Sequence, residues 1–196
     1  MNIEKRNFFS NYRDFFGNLS QRQVDGLDQL LDAIRSDEAV TDLRHLAYML
    51  ATVKHECADT WHPVTEYGNR AYFNKYNAGT DIGKRLGNIH KGDGFLYRGR
   101  GYVQITGRAN YEKLGMAAGV DILTFPDKAL EPDTAFKIMV SSMMSGLFTG
   151  KSLYTYIHDG VCDYMEARRI INGKDQAEKI AKYAFTFEKI LKASLM

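Results

Sequence analysis

Residues 46–68 read LAYMLATVKHECADTWHPVTEYG, and the change of pattern along them decides the fold. Leu46, Leu50, Val53 and Cys57 recur at steps of four, three and four, the spacing of one apolar helix face. A helix starting at Thr41 therefore carries His55 and Glu56 in its last turn. Beyond Asp59 the periodicity stops. Gly68, Gly79, Gly83, Gly87, Gly92, Gly94, Gly99 and Gly101 interrupt every run over 59–105 and leave no room for a helix longer than two turns. The same stretch holds Trp61, Tyr67, Tyr72, Phe73, Tyr76, Phe95, Tyr97 and Tyr102. A long irregular segment inside a small domain is either functional or disordered, and this aromatic content belongs to an ordered one.

Outward from that junction the chain reads as helix on both sides. Phe8, Tyr12, Phe15 and Phe16 form an aromatic face over 4–16 that ends at Gly17. The segment is short and carries charges of both signs, so the face is expected to pack on the domain and not to insert stably in a membrane. Ser20 and Gln23 make a capping box for a helix over 21–35 whose core face is Val24, Leu27, Leu31 and Ile34. Further helices are expected over 107–118, 133–148, 161–171 and 175–194, punctuated by Gly119, Pro132, Gly150 and Gly173. The expected class is mainly α: a single domain over 1–196, with 1–20 as a helical arm and 59–105 as a Gly-rich, aromatic-rich insertion that has room for a small β-hairpin.

Composition agrees. The 196 residues are 44% hydrophobic, 26% charged and 12% aromatic with only 3 prolines, which excludes disordered and collagenous classes and suits one soluble globular domain. Cys57 and Cys162 are too few for a disulfide framework and have no zinc-ligand spacing. The charged N-terminus MNIEKRNFFSNYRDFF lacks the apolar core of a signal peptide and no run of 18 apolar residues occurs, so the chain is expected to be made in the cytoplasm. The net charge of +2 conceals an asymmetry: residues 68–111 hold eight Lys or Arg against Asp81 and Asp93, a local charge of +6 that leaves −4 elsewhere. A basic, aromatic, Gly-rich stretch suits a polyanion, either nucleic acid or an anionic polysaccharide whose sugars stack on rings while arginines hold its carboxylates.

Glu56 sits at the negative end of a helix dipole beside Val53 and Cys57, a setting expected to favour its protonated form and hence a general acid. Glu66, ten residues on in the loop HPVTEYG, offers a second carboxylate in a wetter setting. Two carboxyls in contrasting environments are the equipment of glycosidic bond hydrolysis. His55 and Asp59 at i and i+4 approximate a zinc-peptidase pattern, but the second histidine is missing, and the glycines of 97–107 lack the spacing of a phosphate loop.

Three blocks, LAYMLATVKHECADTWHPVTEYG at 46–68, YRGRGYVQITGRANY at 97–111 and RRIING at 168–173, resemble in that order glycoside hydrolase family 19, the plant-type chitinases and especially the single-domain phage endolysins. The resemblance spans residues 20–190 and implies a lysozyme-like, two-lobed helical fold with the insertion at its cleft. It implies Glu56 as general acid, Glu66 as the general base that activates water, and Thr106 as a residue that holds that water. Gln104, Asn110, Tyr97, Arg98, Tyr111 and Asn172 would bind sugar. The family inverts anomeric configuration, for which the two carboxyls stand about 6.5–9.5 Å apart. The family's Gly-Gly after the acid is here Ala58-Asp59, and the Glu66 segment departs from the longer chitinase loop, so Asp59 and Asp93 stand next in line as bases.

The insertion's charge points to peptidoglycan glycan strands as partner in preference to neutral chitin, with a chitinase and a catalytically silent glycan-binding module as the alternatives. The expected protein is a monomeric endolysin that needs no metal or cofactor, binds no nucleic acid, and reaches the cell wall after release from the cytoplasm through a separate holin-like pore.

Overall fold

The computed structural model describes residues 1–196 and is mainly helical. In chain order its elements are α1 (Lys5–Phe16), α2 (Gln21–Ser36), α3 (Leu43–Glu56), β1 (Val64–Thr65), α4 (Asp81–Arg85), α5 (Asp93–Leu96), β2 (Arg100–Gly101), α6 (Arg108–Ala118), α7 (Pro132–Ser145), α8 (Leu153–Tyr156), β3 (Ile157–His158), β4 (Val161–Cys162) and α9 (Ala177–Lys192). Single 3-10 turns lie at Tyr72–Tyr76, Pro126–Leu130 and Glu166–Ile170. The chain forms two compact units, one made of Met1–His62 with Ser142–Met196 and the other of Pro63–Ser141. No helix is long and apolar enough to cross a membrane.

In the first unit α3 packs along α9. Leu46, Leu50 and Val53 of α3 and Ile180, Ala184, Phe187 and Leu191 of α9 are all buried. Each such Leu, Ile or Phe contributes about 1.5–3 kcal/mol of burial. The helix begins where Asp42, one residue after Thr41, accepts from the backbone of Arg44. The expected capping box of Ser20 and Gln23 starts α2. Half of the aromatic face of α1 packs inward as expected, with Phe8 and Tyr12 buried and the Tyr12 ring 6.2 Å from that of Phe187, whereas Phe15 is 52% exposed.

The helix expected over 161–171 is absent. Ile157–His158 instead pairs antiparallel with Val161–Cys162 around Asp159-Gly160, and the stretch ends in the 3-10 turn Glu166–Ile170. An Asp-Gly pair is a hairpin signal, and here it outweighs the helical spacing that follows. The small hairpin anticipated in the insertion is there as well, where Arg100 and Ile105 exchange both backbone hydrogen bonds across 101–104. The insertion has β1 paired with β2, Val64 against Gly101 and Thr65 against Arg100, which brings the two ends of the irregular stretch together.

The second unit replaces periodic hydrogen bonds with side-chain ones, as buried backbone requires. Asn77 Oδ1 accepts from the N–H groups of Gly92 and Gly94, and Asn88 donates to the Tyr76 carbonyl while accepting from Arg108 N–H. Asp93 accepts from the N–H groups of Ile89 and His90 and from both branches of the Arg108 guanidinium. Buried Phe73 packs edge-on to Phe95 within this frame. At Gly107, φ is +92° and an added Cβ would stand 2.6 Å from the Leu86 carbonyl, so both the conformation and the space demand glycine before α6.

Candidate active site

Glu56 closes α3. Its Oε1 accepts a hydrogen bond of 2.7 Å from Arg168 Nη1, and the two side chains are 18% and 4% exposed. The apolar setting expected from Val53 and Cys57 is thus corrected by a buried guanidinium 112 residues away in sequence. Arg168 is itself fixed by its Nε bond to the Asp175 carbonyl. Burial, reinforced by Arg168 and Lys179 and opposed by Glu56, holds the neighbouring His55 below its ordinary pKa. At neutral pH that imidazole is uncharged.

The turn after Glu56 is held in an uncommon way. Ala58, Asp59 and Trp61 have φ of 47°, 63° and 62°, left-handed backbone that costs a non-Gly residue about 1–2 kcal/mol. Lys54 compensates: its buried ammonium pairs with Asp59, donates to the Tyr12 hydroxyl, and lies 4.4 Å from the centroid of Phe16 and 5.2 Å from that of Tyr183. Asp59 is engaged by this ion pair and is not a free base.

Glu66 follows β1. Its Oε2 accepts from Gly99 N–H at 3.1 Å and its Oε1 from the Tyr76 hydroxyl at 3.1 Å. Burial and the adjacent Glu66 hold the Tyr76 phenol above its ordinary pKa, so it is a donor at neutral pH. An added Cβ on Gly99 would meet Gln104 Oε1 at 2.8 Å and the Glu66 Cβ at 3.1 Å, so the bare glycine is what lets Glu66 and Gln104 stand together. Both donors on Glu66 are neutral, leaving the carboxylate oriented with no cation hydrogen-bonded to it. Asp93 is different. Burial would raise its pKa, but Arg108 and the N–H groups of Ile89 and His90 outweigh it and bring the value down to about 2. It is a structural anion, committed to Arg108.

The other expected residues of the second unit divide in two. Gln104, Thr106 and Asn110 are partly exposed and linked, with Thr106 Oγ1 donating to the Gln104 carbonyl at 3.1 Å and Asn110 Nδ2 to the Thr106 carbonyl at 2.8 Å. Gln104 has φ of 52°, and its amide nitrogen is spent on the carbonyls of Val64 and Gly101. Tyr97 and Tyr111 are buried, which corrects their reading as sugar contacts. The Tyr97 hydroxyl donates to the Leu123 carbonyl, and that of Tyr111 donates to the Arg98 carbonyl while accepting from Arg100. Burial, offset by Arg100 and Arg98, pushes the Tyr111 phenol up to about 12. Arg98 is half-buried with its guanidinium over Phe95. In the first unit Asn172 is exposed and caps its own neighbour, Oδ1 accepting from Gly173 N–H.

Two residues that the sequence reading passed over stand beside the carboxylates: Arg168 on Glu56 and Tyr76 on Glu66. Arg168 was within reach, since it opens the RRIING block from which only Asn172 was drawn. Nothing local distinguishes Tyr76 from its aromatic neighbours.

The model of glycoside hydrolase family 19, chitinase class I, matches residues 30–159. No curated protein matches the chain in sequence. Among solved structures it is similar to chitinase C from Streptomyces griseus HUT6037, with 22% identity, a TM-score of 0.65, and coverage of 94% of this chain and 76% of that one. It is also similar to a bacterial family 19 chitinase, with 22% identity, a TM-score of 0.61 and coverage of 93% of each chain. At such identity these structures bear on the fold, and they share it.

Proposed function

The chain belongs to glycoside hydrolase family 19 and is a glycoside hydrolase, and from that premise we propose that it acts as an endolysin on the β-1,4-linked glycan of bacterial peptidoglycan. The observation that carries this reading is electrostatic. Of the eight basic residues of 68–111, Arg100 pairs with Asp127 and Arg108 with Asp93, while Arg70, Lys75, Lys84, Arg85, Lys91 and Arg98 form no ion pair. Excess positive charge of this kind favours a polymer that carries carboxylates over neutral chitin.

In this reading Glu56 protonates the leaving glycosidic oxygen through Oε2, with Oε1 held by Arg168. Glu66, oriented by Tyr76 and Gly99, takes the proton of a water that attacks the opposite face of the sugar, and the anomeric centre inverts. Thr106 helps to hold that water. The second reading, hydrolysis of chitin itself, is favoured by the solved relatives, which are named as chitinases.

Release of reducing ends from purified sacculi and from chitin oligomers decides between them. Faster cleavage of sacculi supports the proposal. Cleavage of chitin alone defeats it.

A further inference from the structure

Phe95 carries two cations on one ring. The guanidinium carbon of Arg98 lies 4.2 Å from its centroid and that of Arg70 lies 4.5 Å from it. Arg98 is held there by donating from Nη1 to the Phe95 carbonyl at 2.7 Å. Arg100, two residues on, is neutralised by Asp127, whereas neither Arg70 nor Arg98 has a carboxylate partner. Like charges brought together and partly desolvated disfavour each other until an anion enters. Arg98 shows this: burial, with Arg100 and Arg70 nearby, holds its pKa below the usual guanidinium range.

The pair is joined to the candidate base by the backbone. Gly99, next to Arg98, is the residue whose N–H donates to Glu66 Oε2. Tyr67, next to Glu66 in the chain, is 98% exposed, and an exposed aromatic ring is of the kind on which sugars stack. Arg98 and Tyr67 are thus the chain neighbours of the two residues joined by that hydrogen bond within the second unit.

We propose that Arg70 and Arg98, stacked on Phe95, form a subsite for a carboxylate carried by the glycan, and that this pair sets the preference for anionic over neutral strands. The inference rests on the peptidoglycan reading and names the chemistry that would recognise such a strand. The carboxylate comes from the lactyl ether of a stripped muramic unit or from a stem peptide, and both present the same bidentate acceptor to a guanidinium.

The test compares initial rates on carboxymethyl chitin and neutral chitin oligomers for the full chain and for Arg70→Gln, Arg98→Gln and Arg70→Lys. The expected result is that Arg70→Gln lowers the ratio of carboxylated to neutral rates about tenfold, and that Arg70→Lys restores only part of it because lysine lacks the fork. Arg70 is exposed, so its variant reads the subsite even where Arg98→Gln, which loses the bond to the Phe95 carbonyl, fails to fold. An unchanged ratio in Arg70→Gln overturns the proposal, as does an equal fall on both polymers. Sacculi with and without amidase removal of the stems assign the source: a loss on stripped strands supports the lactyl carboxylate, and a loss on intact sacculi alone supports the stem. If the native chain cleaves neither form of sacculus, the peptidoglycan reading fails, while the carboxymethyl chitin ratio still decides the arginine pair.

Discussion

Glu56 ends a helix of 14 residues and meets a buried guanidinium, whereas Glu66 follows a strand of two residues and is held by a tyrosine hydroxyl and a backbone N–H. One carboxyl is fixed by charge on a rigid element, the other by neutral donors on an irregular segment that Asn77, Asn88 and Asp93 keep in shape. The contrast teaches that two residues of the same type are placed in different environments by what is hydrogen-bonded to them, and the proposed reaction assigns them different tasks. A base has to keep its charge and be free to accept a proton. An acid has to be aimed, and a clamp on one oxygen aims it while leaving the other for the substrate.

The strongest way to break the comparison is to remove each carboxyl's chemistry while keeping its shape. Glu56→Gln and Glu66→Gln should each lower the rate of reducing-end release by about 10²–10⁴-fold, with folding and glycan binding retained. Near-normal activity of either variant would remove that residue from the reaction.

Deleting the clamps should separate the two sites. Arg168→Gln leaves a partly buried Glu56 without its partner and is expected to cost about 3 kcal/mol, seen as a lower urea midpoint. Tyr76→Phe removes a single neutral hydrogen bond from a carboxylate that retains Gly99 N–H, and about 1 kcal/mol is expected. Equal losses would mean that the charged and neutral clamps do not differ in kind.

The frame behind Glu66 is tested by pH. The Asp93 carboxyl, held at about 2, is depressed from its ordinary value of 3.8, so it stabilises the fold above pH 3.8 and that stability fades as the pH falls toward 2. Asp93→Asn should therefore be less stable by about 2 kcal/mol at neutral pH and should lose less than the native chain between pH 4 and pH 2. Thermal melts across that range give the answer, and parallel curves would contradict the assignment.

The smallest effect concerns the turn after Glu56. Ala58→Gly relieves a residue at φ 47° and should raise stability by up to about 1 kcal/mol without altering the Lys54–Asp59 pair. A destabilised variant would show that this backbone carries no strain.

The sequence-derived helices that hold are α1, α2 with its Ser20–Gln23 box, α3, α6, α7 and α9. The stretch 161–171 misled because Asp159-Gly160, just upstream, folds the chain back before the apolar spacing of Val161 to Ile170 can act as a helix face. At the site, the choice of Glu56, Glu66, Gln104, Thr106 and Asn110 as candidates was legible from the resemblance. The burial of Tyr97 and Tyr111 was not, because an aromatic residue in a Gly-rich stretch has the same letter whether its ring faces sugar or core.

What the sequence by itself determined is whatever rests on neighbours within one element: helix spans, caps, the break at Asp59, and a charge of +6 along 68–111. Tertiary structure alone decided which groups meet. Arg168 is one of 26 Lys and Arg residues, and only folding across 112 positions singles it out for Glu56. Likewise only the pairing of β1 with β2 brings Gly99 to Glu66 across 33 positions. The physical reason is that periodicity reports how a segment is divided between core and solvent, whereas the partner of a charge is chosen by where the packed core leaves it.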